Sequence, residues 1–400
     1  MDSRKSFVRI SYDGKDITEA LTASVLEFSY SDKASRESDE LTLKCHDREN
    51  NWIGDWYPKK SVKKTTTNEI VSNAVSGTIL RAAICVENWD FEGDNRELDC
   101  GSFEIDSVDF AGPPDTVTIK ALSIPISSNI RNGEKTRAWE ETTLQKIAQD
   151  IADDAGLELF YDVESEIQLD RVDQEEKADM AFLLELSDQY GVALKVTDNK
   201  VILFEEEVYE SKEVVDIFDK REYGNGGRIL SYSFSQDTSG TVCKVVSSYK
   251  DPKSGQLVTA EFEPPEPPAT GQIAYLNIRP GDLSGDNFRE GNDTSSEASG
   301  GTFDTGFNAF NDSSEDFDNP RSDRTDNAKR QAKAVARAKN KNEWTCTLTV
   351  RGNPKMVGSV NININGFGAY SGKYSVFDVK HSAVGNYKTV LMARRVLVGY

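Results

Sequence analysis

The chain is organised around residues 142–163, TTLQKIAQDIADDAGLELFYDV, and a near-echo at residues 179–196, DMAFLLELSDQYGVALKV. In each stretch, apolar residues recur at helical spacing, a polar N-cap precedes the helix, a glycine ends it, and apolar residues then alternate as in a strand. The predicted caps and helix-ending glycines are Thr142 with Gln145, Gly156, Asp179 and Gly191. Two helix-glycine-strand units of this kind predict a compact α/β insert.

The regions before and after the insert show the period-two alternation of β-strands, with turn signals such as Asp13-Gly14 between short runs. Many short strands of this kind are typical of a barrel or a sandwich. The predicted fold class is therefore α+β and mainly β. The predicted divisions are a first β domain at 1–128, the insert at 129–223, a second β domain at 224–263 and 341–400, an acidic insertion at 264–323 and a basic helix at 324–340.

Composition excludes several classes of protein. A net charge of −21 argues against a stable complex with nucleic acid, which requires a basic surface. Because no long apolar run occurs and the polar start lacks a signal-peptide core, we expect no membrane anchor and folding in the cytosol. Five cysteines without CxxC spacing are predicted to be buried or half-buried free thiols.

The acidic insertion and the basic helix that follows it have opposite charge. Residues 261–323 hold 14 acidic and 3 basic residues with few aliphatic ones, so this segment cannot order itself alone and is interpreted as a mobile loop. A basic helix is also found in nucleic-acid and membrane elements. An electrostatic match with the acidic insertion, within one chain or between subunits, explains the adjacency better. The candidate contact residues on the helix are Lys329, Arg330, Lys333 and Arg337.

Two further segments carry candidate contacts. The irregular segment 49–78 contains Trp52, Trp56 and Tyr57 beside a basic polar run. It is either a contact loop toward a partner or a solvated loop pinned by its aromatic side chains. The acidic run Glu205–Glu207 is interpreted as a solvated edge that discourages aggregation of strands.

No catalytic or metal-binding constellation stands out. The two histidines, His46 and His381, leave few bases for nucleophilic catalysis, and no phosphate-binding, zinc or dinucleotide motif occurs. His46 follows Cys45 directly, and adjacent strand residues point to opposite faces. His381 is interpreted as a hydrogen-bonded structural residue. We therefore predict no enzyme and no cofactor, although a pair of carboxylates remains a weak signal for a glycosidase.

The order of these motifs resembles the late control D family, the baseplate hub proteins of contractile phage tails and related injection particles. The residues that carry the resemblance are Trp139 with Thr142-Thr143-Leu144, Ala155-Gly156-Leu157, Asp179–Gly191, the helix Thr325–Asn340, Gly352-Asn353-Pro354, Gly366 to Gly372, His381, Gly385, Tyr387 and Arg394. Each motif is loose by itself. Their order over nearly the whole chain is the specific feature.

The resemblance implies a homotrimer with two small antiparallel β-barrel tube domains per chain, 1–128 and 224–263 with 341–400. Three chains with two barrels each would match a six-fold tail tube on one side and a three-fold spike on the other. The implied partners are the tail tube, spike or tip, baseplate wedge and tape measure proteins. Assembly would occur in the host cytoplasm, and the location would be the tail baseplate of a virion or a bacteriocin particle. This hypothesis requires both β regions to share one topology and not to pack together as one sandwich.

Two alternatives remain open from the sequence. Exposed aromatic residues such as Trp52, Trp56 and Tyr57 also suit a carbohydrate-binding or surface-binding tail protein. A tail-associated cell-wall hydrolase using buried carboxylates is the third hypothesis. The acidic insertion at 264–323 has no counterpart in the resembled family, so its role stays undefined.

Overall fold

The computed structural model describes residues 3–48, 52, 62–65, 68–71, 78–124, 130–131, 133–224, 226–250, 257–278, 288–290 and 320–400. Its strands are β1 (Lys5–Tyr12), β2 (Lys15–Asp16), β3 (Val25–Lys33), β4 (Glu40–His46), β5 (Val62–Thr65), β6 (Asn68–Val71), β7 (Ile79–Glu87), β8 (Arg96–Ala111), β9 (Thr116–Leu122), β10 (Glu134–Thr143), β11 (Glu158–Asp162), β12 (Gln168–Ala178), β13 (Ala193–Thr197), β14 (Lys200–Phe204), β15 (Val214–Asp219), β16 (Ile229–Gln236), β17 (Val242–Lys250), β18 (Leu257–Phe262), β19 (Gln272–Ile278), β20 (Phe288–Glu290), β21 (Trp344–Arg351), β22 (Asn361–Asn365), β23 (Gly372–Ser382) and β24 (Lys388–Arg395). Its α-helices are α1 (Thr18–Thr22), α2 (Leu144–Ala155), α3 (Asp179–Gln189), α4 (Glu206–Ser211) and α5 (Pro320–Asn340). The prediction of a mainly β fold is confirmed.

One long sheet contains strands from both ends of the chain. Its first half has the strand order β3-β4-β9-β8-β7-β1, and its second half has the order β16-β21-β24-β23-β22-β15. If the six strands of each half are lettered A to F along the chain, both halves have the order B-C-F-E-D-A. Neighbouring strands are antiparallel in both halves, except that β15 runs parallel to β22 where β1 runs antiparallel to β7. The shared topology that the hub hypothesis requires is therefore present in the strand order.

The equivalence extends to single residues. Strand β3 begins VLEFSYS at Val25 and β16 begins ILSYSFS at Ile229, and each has a register shift after its first residue. Strands β8 and β23 contain GSFEIDSV from Gly101 and GKYSVFDV from Gly372. Each of these two strands also has a register shift, directly after Ile105 in β8 and after the equivalent residue in β23. The two halves are thus a structural repeat with matching irregularities.

A pairing between β3 and β23, called the seam below, joins the two halves. The first residues of β23 pair with β22, and its last five residues pair with β3. The backbone hydrogen bond from Ala34 N to Phe377 O is 2.9 Å long, and that from Ala383 N to Phe28 O is 3.2 Å. One continuous sheet therefore connects regions that lie about 350 residues apart along the chain.

Each half of the sheet has its own apolar core. The core of the first half includes Phe28, Leu43, Ile84, Phe103 and Ile119. The core of the second half includes Phe218, Leu348, Ile362, Tyr374 and Leu391. Separate cores are the reason that the halves are distinct units although their strands are continuous. The described strands form no closed barrel, so barrel closure stays a prediction.

The insert folds as two helix-strand units, with differences at the caps. Gly156 ends α2 in the left-handed conformation at φ 68°, as the sequence predicts. The N-cap of α2 is Thr143 and not Thr142; its hydroxyl accepts a hydrogen bond from Lys146 N at 3.2 Å. Asp179 is the first residue of α3 and caps nothing with its side chain. It is buried, where Arg137 and other polar groups of the adjacent strands hold its carboxylate.

The sheet pairings differ from the predicted divisions at three places. Strands β17 and β18, predicted in the second β domain, form a separate four-stranded sheet with β19 and β20. Strand β19 lies in the acidic insertion that we predicted as a mobile loop; its parallel pairing with β17 orders it. Strand β15, predicted in the insert, pairs with β22. Pairings between distant segments decide these placements, and local sequence patterns do not encode them.

Helix α5 covers the four-stranded sheet. Its buried alanines, Ala332 and Ala336, pack with Val242, Val245 and Ala274. Small side chains allow the helix backbone to approach the strands closely. No helix among the described residues is long and apolar enough to cross a membrane.

Candidate functional site

A buried ionic cluster joins three parts of the chain. Helix α4 contributes Glu206 and Glu210, α5 contributes Arg337, and β24 contributes Arg394. Arg394 Nη2 lies 2.8 Å from Glu206 Oε2, and Arg337 Nη2 lies 2.6 Å from Glu210 Oε1. Lys341 Nζ lies 3.8 Å from Glu206 Oε2. The cluster ties the insert and the basic helix to the second half of the sheet.

Charge compensation keeps this cluster ionised. Burial of Glu206 by itself would raise its pKa, but Arg394, Lys341 and Arg337 together hold the pKa well below its ordinary value. Burial lowers the pKa of Lys341 to about 8, against the attraction of Glu206. Removing one partner from such a cluster leaves an uncompensated buried charge, which costs about 3–5 kcal/mol.

The candidate contact residues of α5 pair with the same acidic segment. Arg330 binds Glu205, and Arg330 Nε donates to Tyr190 O at 3.0 Å. Lys333 Nζ lies 2.5 Å from Glu207 Oε2. Lys329 is exposed. In the free chain the basic helix therefore matches residues 205–210, and most of the acidic insertion lies outside the described residues. Whether these cations also contact a partner stays a prediction.

The interpretation of Glu205–Glu207 as a solvated edge is wrong for its central member. Glu206 is almost fully buried because α4 turns its side chain toward α5 and β24. Three consecutive glutamates give no sequence signal for this, since their counter-charges come from residues about 130 and 190 positions further along the chain.

Of the three aromatic residues proposed as partner contacts, the structure describes only Trp52. Trp52 is 3% exposed, and its ring makes an edge-on contact with Tyr12 at a centroid distance of 5.8 Å. Its indole therefore belongs to the core of the first half of the sheet. Trp56 and Tyr57 lie outside the described residues. Their role as partner contacts stays a prediction.

A second polar cluster fastens the insert to the seam. Lys195 Nζ of β13 donates to Asp32 Oδ1 of β3 at 2.6 Å and lies 3.2 Å from Asp39 Oδ1. Asp32 also accepts from Gly358 N at 2.9 Å, which brings in the second half of the sheet. Burial raises the pKa of Asp39 to about 6, although Lys195 opposes this rise. All three structural units therefore meet at Asp32.

A cleft of about 730 Å³ opens beside this cluster, between the outer face of the sheet and α3. Ser31, Lys33 and Thr42 line it on the sheet side, and Met180 and Leu184 line it on the helix side. The lining is mixed in charge and polarity. Among the described residues, no group of three or more His, Cys, Asp or Glu side chains is placed to hold a metal ion.

His381 is a structural residue of the seam, as the sequence predicts. Its Nδ1 lies 2.9 Å from Tyr387 Oη, and its Nε2 lies 2.9 Å from Met356 O. The imidazole stacks on Tyr30 of β3 at 6.0 Å. Complete burial lowers its pKa to about 4, so the ring is neutral near pH 7 and Nε2–H donates to Met356 O.

Two strand segments expose apolar side chains that their counterparts bury. In β16, Tyr232 is 38% exposed, whereas its counterpart Phe28 is 1% exposed. At the end of β8, Phe110 is 37% exposed, whereas its counterpart His381 is fully buried. These segments are candidate contact surfaces that our sequence analysis missed. Aligning the two β regions with each other would have revealed them.

Aromatic side chains surround the exposed strand β16. The ring centroids of Tyr232 and Phe234 each lie 4.9 Å from that of Phe367. The ring of Phe234 also stacks on that of Tyr370, with a centroid distance of 5.1 Å. A surface rich in aromatic rings with a polar rim is typical of protein interfaces. The second half of the sheet therefore presents an apolar edge.

Comparison with known proteins identifies relatives of part of the chain. The chain is 25% identical over 192 residues to a protein named probable baseplate hub protein from Escherichia phage P2, a match covering 48% of this chain and 43% of that protein. A protein of the same name from Escherichia phage 186 is 23% identical over 194 residues, with the same coverage. The matched part spans less than half of each relative. No family model matches the chain.

Solved structures resemble the chain over nearly its whole length. A tail protein from Neisseria meningitidis MC58 has a TM-score of 0.62 at 10% identity, covering 98% of this chain and 97% of that one. A tail protein of prophage MuSo2 from Shewanella oneidensis has a TM-score of 0.57 at 11% identity, covering 97% and 98%. A component of the type VI secretion system of E. coli has a TM-score of 0.50 at 9% identity, covering 98% and 78%. At these identities the likeness concerns the fold.

The relatives and the fold agree. The curated relatives are named probable baseplate hub proteins, and the structural neighbours are phage tail and type VI secretion proteins.

Proposed function

We propose that this chain is the baseplate hub of a contractile tail-like particle, in which three copies form a ring that adapts a six-fold tail tube to a three-fold spike. The observation that carries the proposal is the repeated strand order within one chain. Three copies of a chain with two equivalent half-sheets present six similar units in a ring. A three-fold assembly can thereby offer a six-fold surface to its neighbour.

The differences between the halves supply the three-fold character. The insert, α5 and the four-stranded sheet each occur once among the described residues, so three copies carry three of each. These parts would face the spike and the baseplate wedge proteins, and the half-sheets would face the tube. Tail tube, spike or tip, wedge and tape measure proteins are the proposed partners. The role is mechanical, and the hub makes and breaks no covalent bond.

Cryo-electron microscopy of purified particles tests the proposal. We expect three copies of this chain per baseplate, arranged as six half-sheets around the tail axis, between layers of six-fold and three-fold symmetry. Six copies per baseplate would contradict the proposal, because a whole chain, and not one half-sheet, would then occupy each of the six positions around the tail axis. A particle without tube or sheath proteins beside this chain would contradict the location.

The carbohydrate-binding alternative has lost part of its support. Trp52, one of the three aromatic residues that motivated it, is buried. Trp56 and Tyr57 lie outside the described residues. Binding of the purified chain to a glycan array would revive this alternative, and cell-wall clearing in a zymogram would revive the hydrolase.

A further inference from the structure

The seam within the chain has a second, unfilled equivalent. At the seam, strand B of the first half (β3) pairs with the end of strand E of the second half (β23). If the two halves exchange roles, the equivalent pairing joins strand B of the second half (β16) to the end of strand E of the first half (β8). Among the described strands, β16 pairs with β21 on one side and its other long edge carries no strand.

The end of β8 has an open edge of the same kind. Residues Arg96 to Glu104 pair with β7, and from Glu104 onward β8 pairs with β9 on its opposite side. The register shift after Ile105 lies at the position where β23 turns from β22 to β3. Beyond the shift, β8 stays paired with β9 but is no longer paired with β7, just as β23 stays paired with β24 but is no longer paired with β22. In the described residues, no strand meets that edge of β8 there.

We propose that β16 of one copy pairs antiparallel with residues 107–111 of β8 of the next copy, in the register of the seam. Transferring the seam pairs by the repeat puts Ala111 opposite Ser233, Phe110 opposite Phe234 and Asp109 opposite Ser235. The occupant of each edge is therefore a second copy of this chain. The number of copies in the ring rests on the proposed function.

The side chains fit this register. Phe110 and Phe234 take the places of His381 and Tyr30, which stack at 6.0 Å in the seam. An aromatic pair across two strands is a favourable contact. Asp109 faces a serine, so no like charges oppose each other at the centre of the contact. The contact would pair two strand edges that no strand meets among the described residues.

The contact joins two different surfaces, so it is heterologous. Each copy offers β16 to one neighbour and β8 to the other, which produces a closed ring when the rotation between copies matches. The rotation from half to half within the chain sets that angle, because the seam and the proposed contact are equivalent. A ring of alternating half-sheets follows.

Cysteine cross-linking tests the register. In the seam, Ala34 with Phe377 and Phe28 with Ala383 are hydrogen-bonded pairs, so alternation makes Ser31 with Lys380 a non-hydrogen-bonded pair. Asp109 and Ser235 are the counterparts of Lys380 and Ser31, so their Cβ atoms should lie about 4.5–5.5 Å apart. We would combine Asp109→Cys with Ser235→Cys in a chain that also carries Cys243→Ser, since Cys243 is not fully buried. Mild oxidation should produce covalent oligomers up to a closed ring.

Matched controls define the result. Ser31→Cys with Lys380→Cys places the same pair in the seam and should give an intrachain disulfide without oligomers. The second control combines Asp109→Cys with Ser231→Cys. Residue 231 lies four residues, about 13 Å, along the strand from residue 235, so this pair should yield about tenfold less cross-linked product. A mixture of chains carrying Asp109→Cys alone and Ser235→Cys alone should give only mixed dimers.

The outcomes separate this inference from the proposed function. A trimeric mass without the 109–235 cross-link, when the intrachain control forms, overturns this contact and leaves the trimer intact. Efficient cross-linking of Ser235→Cys to itself indicates pairing of β16 with β16 and also overturns it. A chain that stays monomeric at its highest soluble concentration and with tube protein added overturns the trimer and this contact together.

Discussion

The first half of the sheet buries strand β3 between two neighbours, whereas the second half leaves the equivalent strand β16 at an edge. The two strands have nearly the same pattern of side chains, with Phe28, Ser29 and Tyr30 in one and Tyr232, Ser233 and Phe234 in the other. Their surroundings differ because β3 pairs with β23 and β4, whereas β16 pairs with β21 and no described strand lies along its other edge. Burial of a strand is therefore decided by its partner and not by its own composition.

Truncation of equivalent aromatic side chains should show the largest contrast. Phe28→Ala should lower the free energy of unfolding by about 4 kcal/mol, because its ring is fully buried in the first core. Tyr232→Ala should lower it by only about 1 kcal/mol in the monomer, because its ring keeps contact with water. Urea unfolding of both variants measures the difference. Equal losses would show that β16 is already covered in the free chain.

The halves also differ at the end of strand F, where Leu122 corresponds to Arg394. Arg394 recruits Glu206, so Glu206→Gln should destabilise the chain by about 3 kcal/mol, since it leaves cations without compensation. Glu207→Gln, which affects the half-exposed pair with Lys333, should cost under about 1 kcal/mol. Thermal or chemical unfolding compares the two. A similar small loss in both variants would mean that the buried cluster is solvated.

The equivalent positions His381 and Phe110 predict a pH effect confined to the seam. The pKa of His381 is lowered to about 4 in the folded chain and is near 6.5 when unfolded, so the unfolded chain takes up a proton first as the pH falls. This linkage is absent above pH 7 and should remove about 2 kcal/mol of stability by pH 5.

The variant His381→Phe isolates this linkage. Unfolding free energies from pH 7 to pH 5 should fall less steeply in the variant than in the natural chain. The change with pH is compared and not the absolute value, because the variant also leaves Met356 O without its donor. The raised pKa of Asp39, about 6, adds stability as the pH falls. This contribution is the same in the variant and the natural chain, so it cancels when their pH dependences are compared. Parallel curves would contradict the assignment of a neutral His381.

Proline on β16 should have the smallest effect on the monomer. The 2.8 Å hydrogen bond from Asp237 N to Glu343 O shows that the N–H group of Asp237 faces the β21 side. Alternation along the strand places the N–H group of Ser235 on the same side and that of Gln236 on the open edge. Gln236→Pro should change the free energy of unfolding by under about 1 kcal/mol while preventing ring formation. Ser235→Pro, the control, should destabilise the monomer more. Sedimentation and unfolding measure both; a ring formed by Gln236→Pro would contradict the edge contact.

The local structure of the insert could be predicted well because its signals lie close together in the sequence. Gly156 and Gly191 have positive φ angles of 68° and 70°, and Asp198 and Asn199, which are typical turn residues, form the hairpin turn between β13 and β14. The caps were harder to predict, because neighbouring threonines compete for one position and because a buried Asp179 serves tertiary contacts. Local rules specify which residues turn, and the packed environment selects the atoms that bond.

The pairings between distant segments could not be predicted from local patterns. Alternation in β17 and β18 looks the same whether they extend the long sheet or form a separate one, and only their partners distinguish the two cases. The burial of Glu206 depends in the same way on Arg394. The repeat itself was within reach, since the run beginning at Val25 and the run beginning at Ile229 can be aligned by eye.

The peptide link between the halves has a mechanical consequence for the proposed ring. Its six junctions would be of two kinds in alternation, three held by one continuous backbone and three held only by non-covalent pairing of β16 with β8. Dilution or pulling would break the second kind alone, so the ring would come apart into whole chains and never into single half-sheets. The points of rupture of the proposed ring would thus be fixed in advance at every second junction.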